Sequence, residues 1–195
     1  MDTNDMPTRG ERRDAQRNLA RVLRAAHELF AERGVDVTME EVARRAGVGV
    51  GTIYRRFPSK EQLFAAVSHE ACVDAQHQLE SVAQAEHEPL GRLRALVLVQ
   101  YRRCSRQAAL IDPQPGIAHE QQELYAALQR MLVQAITDGQ RSGVVRAGDP
   151  TVLATLCLEL LSPRAFQRLA SACGEDADEM AEQAVQFVLG GLGAL

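Results

Sequence analysis

Residues 35–64 read VDVTMEEVARRAGVGVGTIYRRFPSKEQLF. Thr38 with Glu41 three places on is a capping box: the threonine hydroxyl takes an N3 amide while the glutamate reaches back. Val42, Ala43 and Ala46 follow at helical spacing and are small enough for close packing. Gly47 breaks that short helix. After the turn Ala46-Gly47-Val48-Gly49, a second short helix carries Val50, Ile53 and Phe57, and Pro58 stops it. Ser59-Lys60-Glu61-Gln62 forms another capping box and opens a long helix with Leu63, Phe64, Val67 and Ala71 on one face. Two short helices joined by a tight glycine turn make a helix-turn-helix.

On the amino-terminal side, Leu19, Val22, Leu23, Ala26, Leu29 and Phe30 form one apolar stripe. They predict a helix over Asp14 to Arg33, with Arg17, Arg21 and Arg24 mostly off the stripe and Gly34 as its stop. Past about residue 86 the pattern is a helical bundle. Pro89 suits a first helical position, and Leu90, Leu93, Val97, Tyr101 and Cys104 share a stripe. Residues 111–116, with Pro113 and Pro115, read as a break. Leu124, Leu128, Met131, Leu132, Ala135 and Ile136 predict a helix ending near Gly143. Asp149-Pro150 is a cap followed by an N1 proline. Val152, Leu153, Leu156, Leu160 and Leu161 follow, and Pro163 should kink or interrupt that helix. The last predicted helix holds Met180, Ala184, Phe187 and Val188 and dissolves into Gly190-Gly191-Leu192-Gly193. Strand signals are nearly absent. The expected fold is all-α: a flexible arm over residues 1–13, a three-helix helix-turn-helix domain over 14–60, and a larger helical domain over 61–195.

The chain has 195 residues, 46% of them hydrophobic and 25% charged, which excludes disorder over the whole length. No apolar run exceeds five residues, so no membrane span is expected. The charged amino terminus has no apolar region of a secretory signal, which leads to a cytoplasmic expectation. Cys72, Cys104, Cys157 and Cys173 are far apart and read as buried thiols, neither a zinc set nor a disulfide framework. The net charge of −4 is uneven: residues 1–60 hold 12 Lys+Arg against 9 Asp+Glu, and residues 61–195 hold 10 against 17. A basic end on an acidic body suits a polyanion at that end. Lys60 is the only lysine.

The second short helix would present Val50, Gly51, Thr52, Tyr54, Arg55 and Arg56, with Ile53 and Phe57 as core anchors. Its size suits a DNA major groove. Tyr54 carries a hydroxyl on a rigid arm, and Arg55 and Arg56 can fork onto phosphate or guanine. The Thr52 hydroxyl and methyl both have base partners, and Gly51 admits close backbone approach. Thr38 and Lys60 lie at helix starts, which favour anions.

These features resemble the DNA-binding signature of the tetracycline-repressor (TetR) family of bacterial regulators. The resemblance rests on Thr38, Val42-Ala43, Ala46-Gly47-Val48, Gly51-Thr52-Ile53-Tyr54, Phe57, Ser59-Lys60-Glu61 and Leu63-Phe64. The run Ala26-x-x-Leu29-Phe30-x-x-x-Gly34 matches the end of the family's first helix. It implies an all-helical homodimer on a palindromic double-stranded DNA operator. In the family, residues matching Thr38, Tyr54 and Lys60 usually hold phosphates, and those matching Val50, Gly51, Thr52 and Arg55 face bases or nearby backbone. Gly49-Val50 departs from the usual serine and polar pair, so a side-chain cap is missing there. The resemblance further implies that the carboxyl-terminal domain binds a small-molecule effector and dimerises. Tyr101, Cys104, His119, Tyr125 and Cys157 are pocket candidates, each equally suited to a packed core. Leu156, Leu160, Phe166, Phe187 and Val188 are dimer-interface candidates, with filling of the subunit's own core as the alternative.

Other readings are weaker. Gly47-x-Gly49-x-Gly51 follows a helix and not a strand, so it does not fit a nucleotide loop. His119-Glu120-Gln121-Gln122-Glu123 lacks the second histidine of a zinc-protease motif, the remaining histidines do not pair at ligand spacing, and no metal or cofactor is expected. Arg9, Arg12 and Arg13 suit either a minor-groove arm or a solvated tail. The resulting expectation is a non-enzymatic regulator, most simply a repressor released by an effector. The alternatives are an activating or ligand-independent DNA binder, or a helical carrier or enzyme with a vestigial motif.

Overall fold

The computed structural model describes residues 9–106, 118–174 and 176–194, the side chains at 9, 11, 12, 35, 106 and 118–120 excepted. The break expected at 111–116 lies outside the described residues. The helices are α1 (Arg9–Arg33), α2 (Met39–Ala46), α3 (Val50–Arg56), α4 (Lys60–Ala85), α5 (Pro89–Arg106), α6 (Ala118–Arg141), α7 (Pro150–Leu160), α8 (Pro163–Cys173) and α9 (Ala177–Leu192). Among the described residues there is no strand, only an isolated antiparallel bridge between Val145 and Gly193. No helix among them is long and apolar enough to cross a membrane.

The chain forms two compact units, residues 1–70 and 71–195. The division falls inside α4, ten residues beyond the expected boundary, because α4 serves both cores. Its first turns bury Leu63, Phe64 and Val67 in the first unit, where the Phe64 ring meets Phe30 edge-on at 5.0 Å. Val22, Ala25, Ala26, Leu29 and Phe30 of α1 complete that core with Val42, Ala43 and Ala46 of α2 and Ile53 of α3. Each large side chain withdrawn from water contributes roughly 1.5–3 kcal/mol. The first helix starts at Arg9 and not at Asp14. Arg12 and Arg13 therefore belong to α1 and not to a free arm.

In the second unit α5 packs on α6 and α9, and α6 packs on α7. Leu93, Leu96, Val97 and Tyr101 meet Leu128, Leu132 and Ile136 in one cluster with Leu153, Leu161, Phe166, Val185 and Val188. Asp149 caps α7, accepting from Thr151 N at 2.7 Å and Val152 N at 3.3 Å, with Pro150 in the first turn. Pro163 interrupts the helix completely. It opens a separate helix, α8, capped by the Ser162 hydroxyl, which accepts from Ala165 N at 3.2 Å. Asp176 then caps α9. That helix does not dissolve at Gly190 but runs to Leu192. Burial of Leu192 and a 2.8 Å hydrogen bond from Arg146 N–H to the Leu192 carbonyl hold its end in place.

Candidate nucleic-acid interface

The helix-turn-helix is pinned by polar contacts before any ligand is present. The Thr38 hydroxyl accepts from Glu41 N at 3.2 Å, and Thr38 N–H donates to Glu41 Oε2 at 2.9 Å. Both halves of that capping box are thus made. Arg33 Nη1 donates to Glu41 Oε1 at 2.7 Å, tying α1 to the start of α2. The Thr38 hydrogen bonds, then Arg33, lower the Glu41 carboxyl to about 2. Arg45 makes ion pairs with Glu28 and Glu32 on α1.

The turn depends on Gly47. Its φ of +65° is left-handed, and its N–H closes α2 on the Ala43 and Arg44 carbonyls. A Cβ there would meet Arg21 Nη2 at 2.5 Å. That guanidinium donates to the Gly47 carbonyl at 3.2 Å, so α1 holds the turn directly.

Helix α3 has two unlike sides. Ile53 is 1% exposed, and Phe57 just beyond it is buried. Gly51, Tyr54, Arg55 and Arg56 are exposed, while Val50 and Thr52 are half-buried. Gly49 caps the helix without a side-chain hydrogen bond, as the sequence predicts. A Cβ on Gly51 would touch nothing within 4 Å. Thr52, Arg55 and Arg56 also border a groove of about 650 Å3 whose other wall is α1, at Asp14, Asn18 and Leu19. Periodicity reading missed this groove, because it names the buried stripe and not the space beside it.

Lys60 is half-buried at the start of α4. Ser59 caps that helix, accepting from Gln62 N at 3.3 Å. The reciprocal partner differs from the expected one. Glu61, not Gln62, hydrogen-bonds Ser59, and its own backbone and Ser59 together lower its carboxyl.

The pocket candidates of the second unit separate. Cys104 and Cys157 are buried in the core, which pushes both thiols up to about 11. The Cys104 thiol donates to the Leu161 carbonyl at 3.5 Å, beside Gln100 Nε2 at 3.1 Å on the same oxygen. Both cysteines pack in the core, the alternative that the sequence leaves open for them. Tyr125 is half-buried and its hydroxyl is pushed up to about 12, mainly by burial. The His119 side chain lies outside the described residues. Tyr101 lines a cleft of about 330 Å3 that also includes Leu160, Leu169, Met180 and Phe187.

The interface candidates separate as well. Leu156 is 56% exposed, Leu160 43% and Phe187 70%, and Val152 and Leu169 add to the exposed apolar side chains of α7 and α8. Phe166 and Val188 are buried inside the subunit, and the Phe166 ring meets Tyr101 edge-on at 5.3 Å. For these two the structure favours the alternative, filling of the subunit's own core, over the interface expectation. Among the described residues no group of three His, Cys, Asp or Glu is placed to hold a metal.

Comparison with known proteins places this geometry. Residues 22–67 match the profile of the bacterial regulatory proteins of the tetR family. An HTH-type transcriptional regulator of Mycobacterium bovis is 36% identical over 146 residues, which cover 71% of this chain and 75% of that relative. The solved TetR transcription regulatory protein of Mycobacterium vanbaalenii is 30% identical, with a TM-score of 0.64 over 94% of this chain and 99% of the other. The chain belongs to the TetR family. As a TetR-family transcriptional regulator it binds DNA through its helix-turn-helix, α2 and α3. A regulator of Saccharomonospora viridis, solved with choline, shares the fold at 22% identity, with a TM-score of 0.76 over 93% of this chain and 100% of that one.

Proposed function

We propose that this TetR-family protein is a homodimeric repressor that a small-molecule effector releases from a palindromic operator. In this reading α3 enters the major groove. Arg55 and Thr52 meet base edges, with Val50 and Gly51 against bases or nearby backbone. Tyr54, Arg56, Thr38 and Lys60 hold phosphates on either side. The observation that carries the reading is the division of α3: Ile53 anchors it inside while Gly51, Tyr54, Arg55 and Arg56 stand outside with no fold role.

The exposed apolar residues Leu156, Leu160 and Phe187 support pairing with a second copy. Two copies would set their reading helices about 34–36 Å apart, one turn of DNA. An effector that binds the mismatched arrangement more tightly then weakens DNA binding by linkage. Choline is bound by the Saccharomonospora viridis regulator. Among the described residues the cleft at Tyr101 offers such a cation two aromatic rings, Tyr101 and Phe187, and no carboxylate, so an uncharged effector is favoured here.

Sequencing genomic fragments retained by the purified chain, then titrating the recovered site, tests the proposal. A palindromic site bound by a dimer, with affinity falling steeply as salt rises, is expected. Binding without sequence preference would reject the operator reading. Increased transcription from the bound promoter would make the protein an activator.

A further inference from the structure

We infer that the cleft bounded by α5, α7, α8 and α9 is the effector site, and that it takes a small uncharged molecule, largely apolar, whose one accepting oxygen is held by the Tyr101 hydroxyl. This rests on the reading of the chain as a ligand-controlled regulator.

The cleft is concave and, at about 330 Å3, at the small end of ligand sites. Buried Tyr101, Met180 and Val188 form its floor, and exposed Leu160, Leu169 and Phe187 form its rim. No charged side chain lines it among the described residues. A carboxylate entering would lose its hydration without a partner, and an ammonium would find two aromatic rings, Tyr101 and Phe187, but no counter-charge, which disfavours ionic ligands.

The floor holds one polar group that the fold leaves unused. Tyr101 is 1% exposed, and its ring is fixed edge-on against Phe166. Burial, with Cys104 and Cys173 nearby, raises its pKa, so the hydroxyl stays protonated and can donate. Among the hydrogen bonds described, the Tyr101 hydroxyl donates to no protein acceptor, whereas adjacent Gln100 donates to the Leu161 carbonyl. Buried tyrosine hydroxyls usually have a partner, and here the open side is the cleft. A carbonyl, ether or hydroxyl oxygen supplies it.

The rim residues Leu160 and Phe187 also belong to the face proposed for the second copy. A molecule in the cleft therefore alters the surface on which two subunits pair, which is the differential contact that release requires.

The test uses the full chain without DNA and the neutral fluorophore N-phenyl-1-naphthylamine. The competitors are 2-octanone, octanoate and octyltrimethylammonium, which share a tail and differ in charge. The fluorophore should bind once per chain, and 2-octanone should displace it at least about tenfold better than either ion. Tyr101→Phe keeps the ring contact, and it should weaken 2-octanone by roughly three- to tenfold while leaving the fluorophore unchanged. Ala184→Trp, which fills the cleft, should abolish fluorophore binding. Equal competition by the ions overturns the inference. So does a Tyr101→Phe variant that binds the ketone as before. Emission appearing only on dilution to monomer means a second copy fills the cleft, and also overturns it. Ketone binding with no change in operator affinity would leave the site standing and reject effector release. Operator binding with no ketone binding would do the reverse.

Discussion

The exposed sides of α3 and α9 look alike in a list of surface residues and differ in chemistry. On α3 the outward set is Gly51, Tyr54, Arg55 and Arg56, polar or bare, mounted on a single buried isoleucine. On α9 the outward Phe187 is 70% exposed and wholly apolar, above a core of Met180, Val185 and Val188. The first surface is suited to a charged, hydrated duplex and the second to an apolar occupant. The two surfaces thus differ in the chemistry of side chains that the fold leaves exposed.

The sharpest way to break this comparison is to cut phenylalanines on either side of the core boundary. Phe166→Ala should cost about 3–5 kcal/mol of stability by leaving a cavity beside Tyr101. Phe187→Ala should change monomer stability by less than about 0.5 kcal/mol while weakening self-association. Denaturant melts and sedimentation of the two variants check this. Equal destabilisation would mean that Phe187 is a core residue and that no apolar face is on offer.

On the α3 side, Arg55→Ala should cost roughly 1–3 kcal/mol and relax preference at one base position. A uniform loss over all sequences would make Arg55 a phosphate contact. Lys60→Ala should weaken binding to every sequence alike and lower the salt slope by roughly one per subunit. Anisotropy titrations over a salt series read both.

The smallest expected effect concerns the capping box. The Glu41 carboxyl is lowered to about 2 from 4.5. A depressed acid stabilises the fold above its unfolded pKa, and that contribution is lost as pH falls from about 4.5 toward 2. Glu41→Gln should therefore flatten the acid side of the melting profile and leave it nearly parallel to wild type above pH 6 or so. An unchanged acid limb would show that the box does not hold in solution.

Local chemistry made the reading head legible. Thr38 with Glu41, Gly47, and Asp149 with Pro150 each act over three or four residues, so spacing alone locates them. The elements that spacing does not locate depend on distant partners. Nothing near Gly190 says that α9 continues, because the stabilising hydrogen bond comes from Arg146. At Pro163 the interruption is legible, and the Ser162 before it is a readable cap for α8. Periodicity placed Phe166, Val188, Leu156 and Phe187 on apolar stripes without saying which stripes meet the subunit's own core. Cys104 and Cys157 lie buried in the core, and the sequence left both roles open because a buried thiol and a pocket thiol look alike in it.

The central claim is that the outward side of α3 meets DNA. Gly51 tests it most directly, because a Cβ there meets no protein atom within 4 Å. Gly51→Leu should keep or slightly raise the melting temperature, as leucine favours a helix over glycine by several tenths of a kcal/mol or more. The same variant should lose at least about tenfold in operator affinity through collision with the groove. A folded Gly51→Leu protein that binds its operator as tightly as wild type would contradict the account.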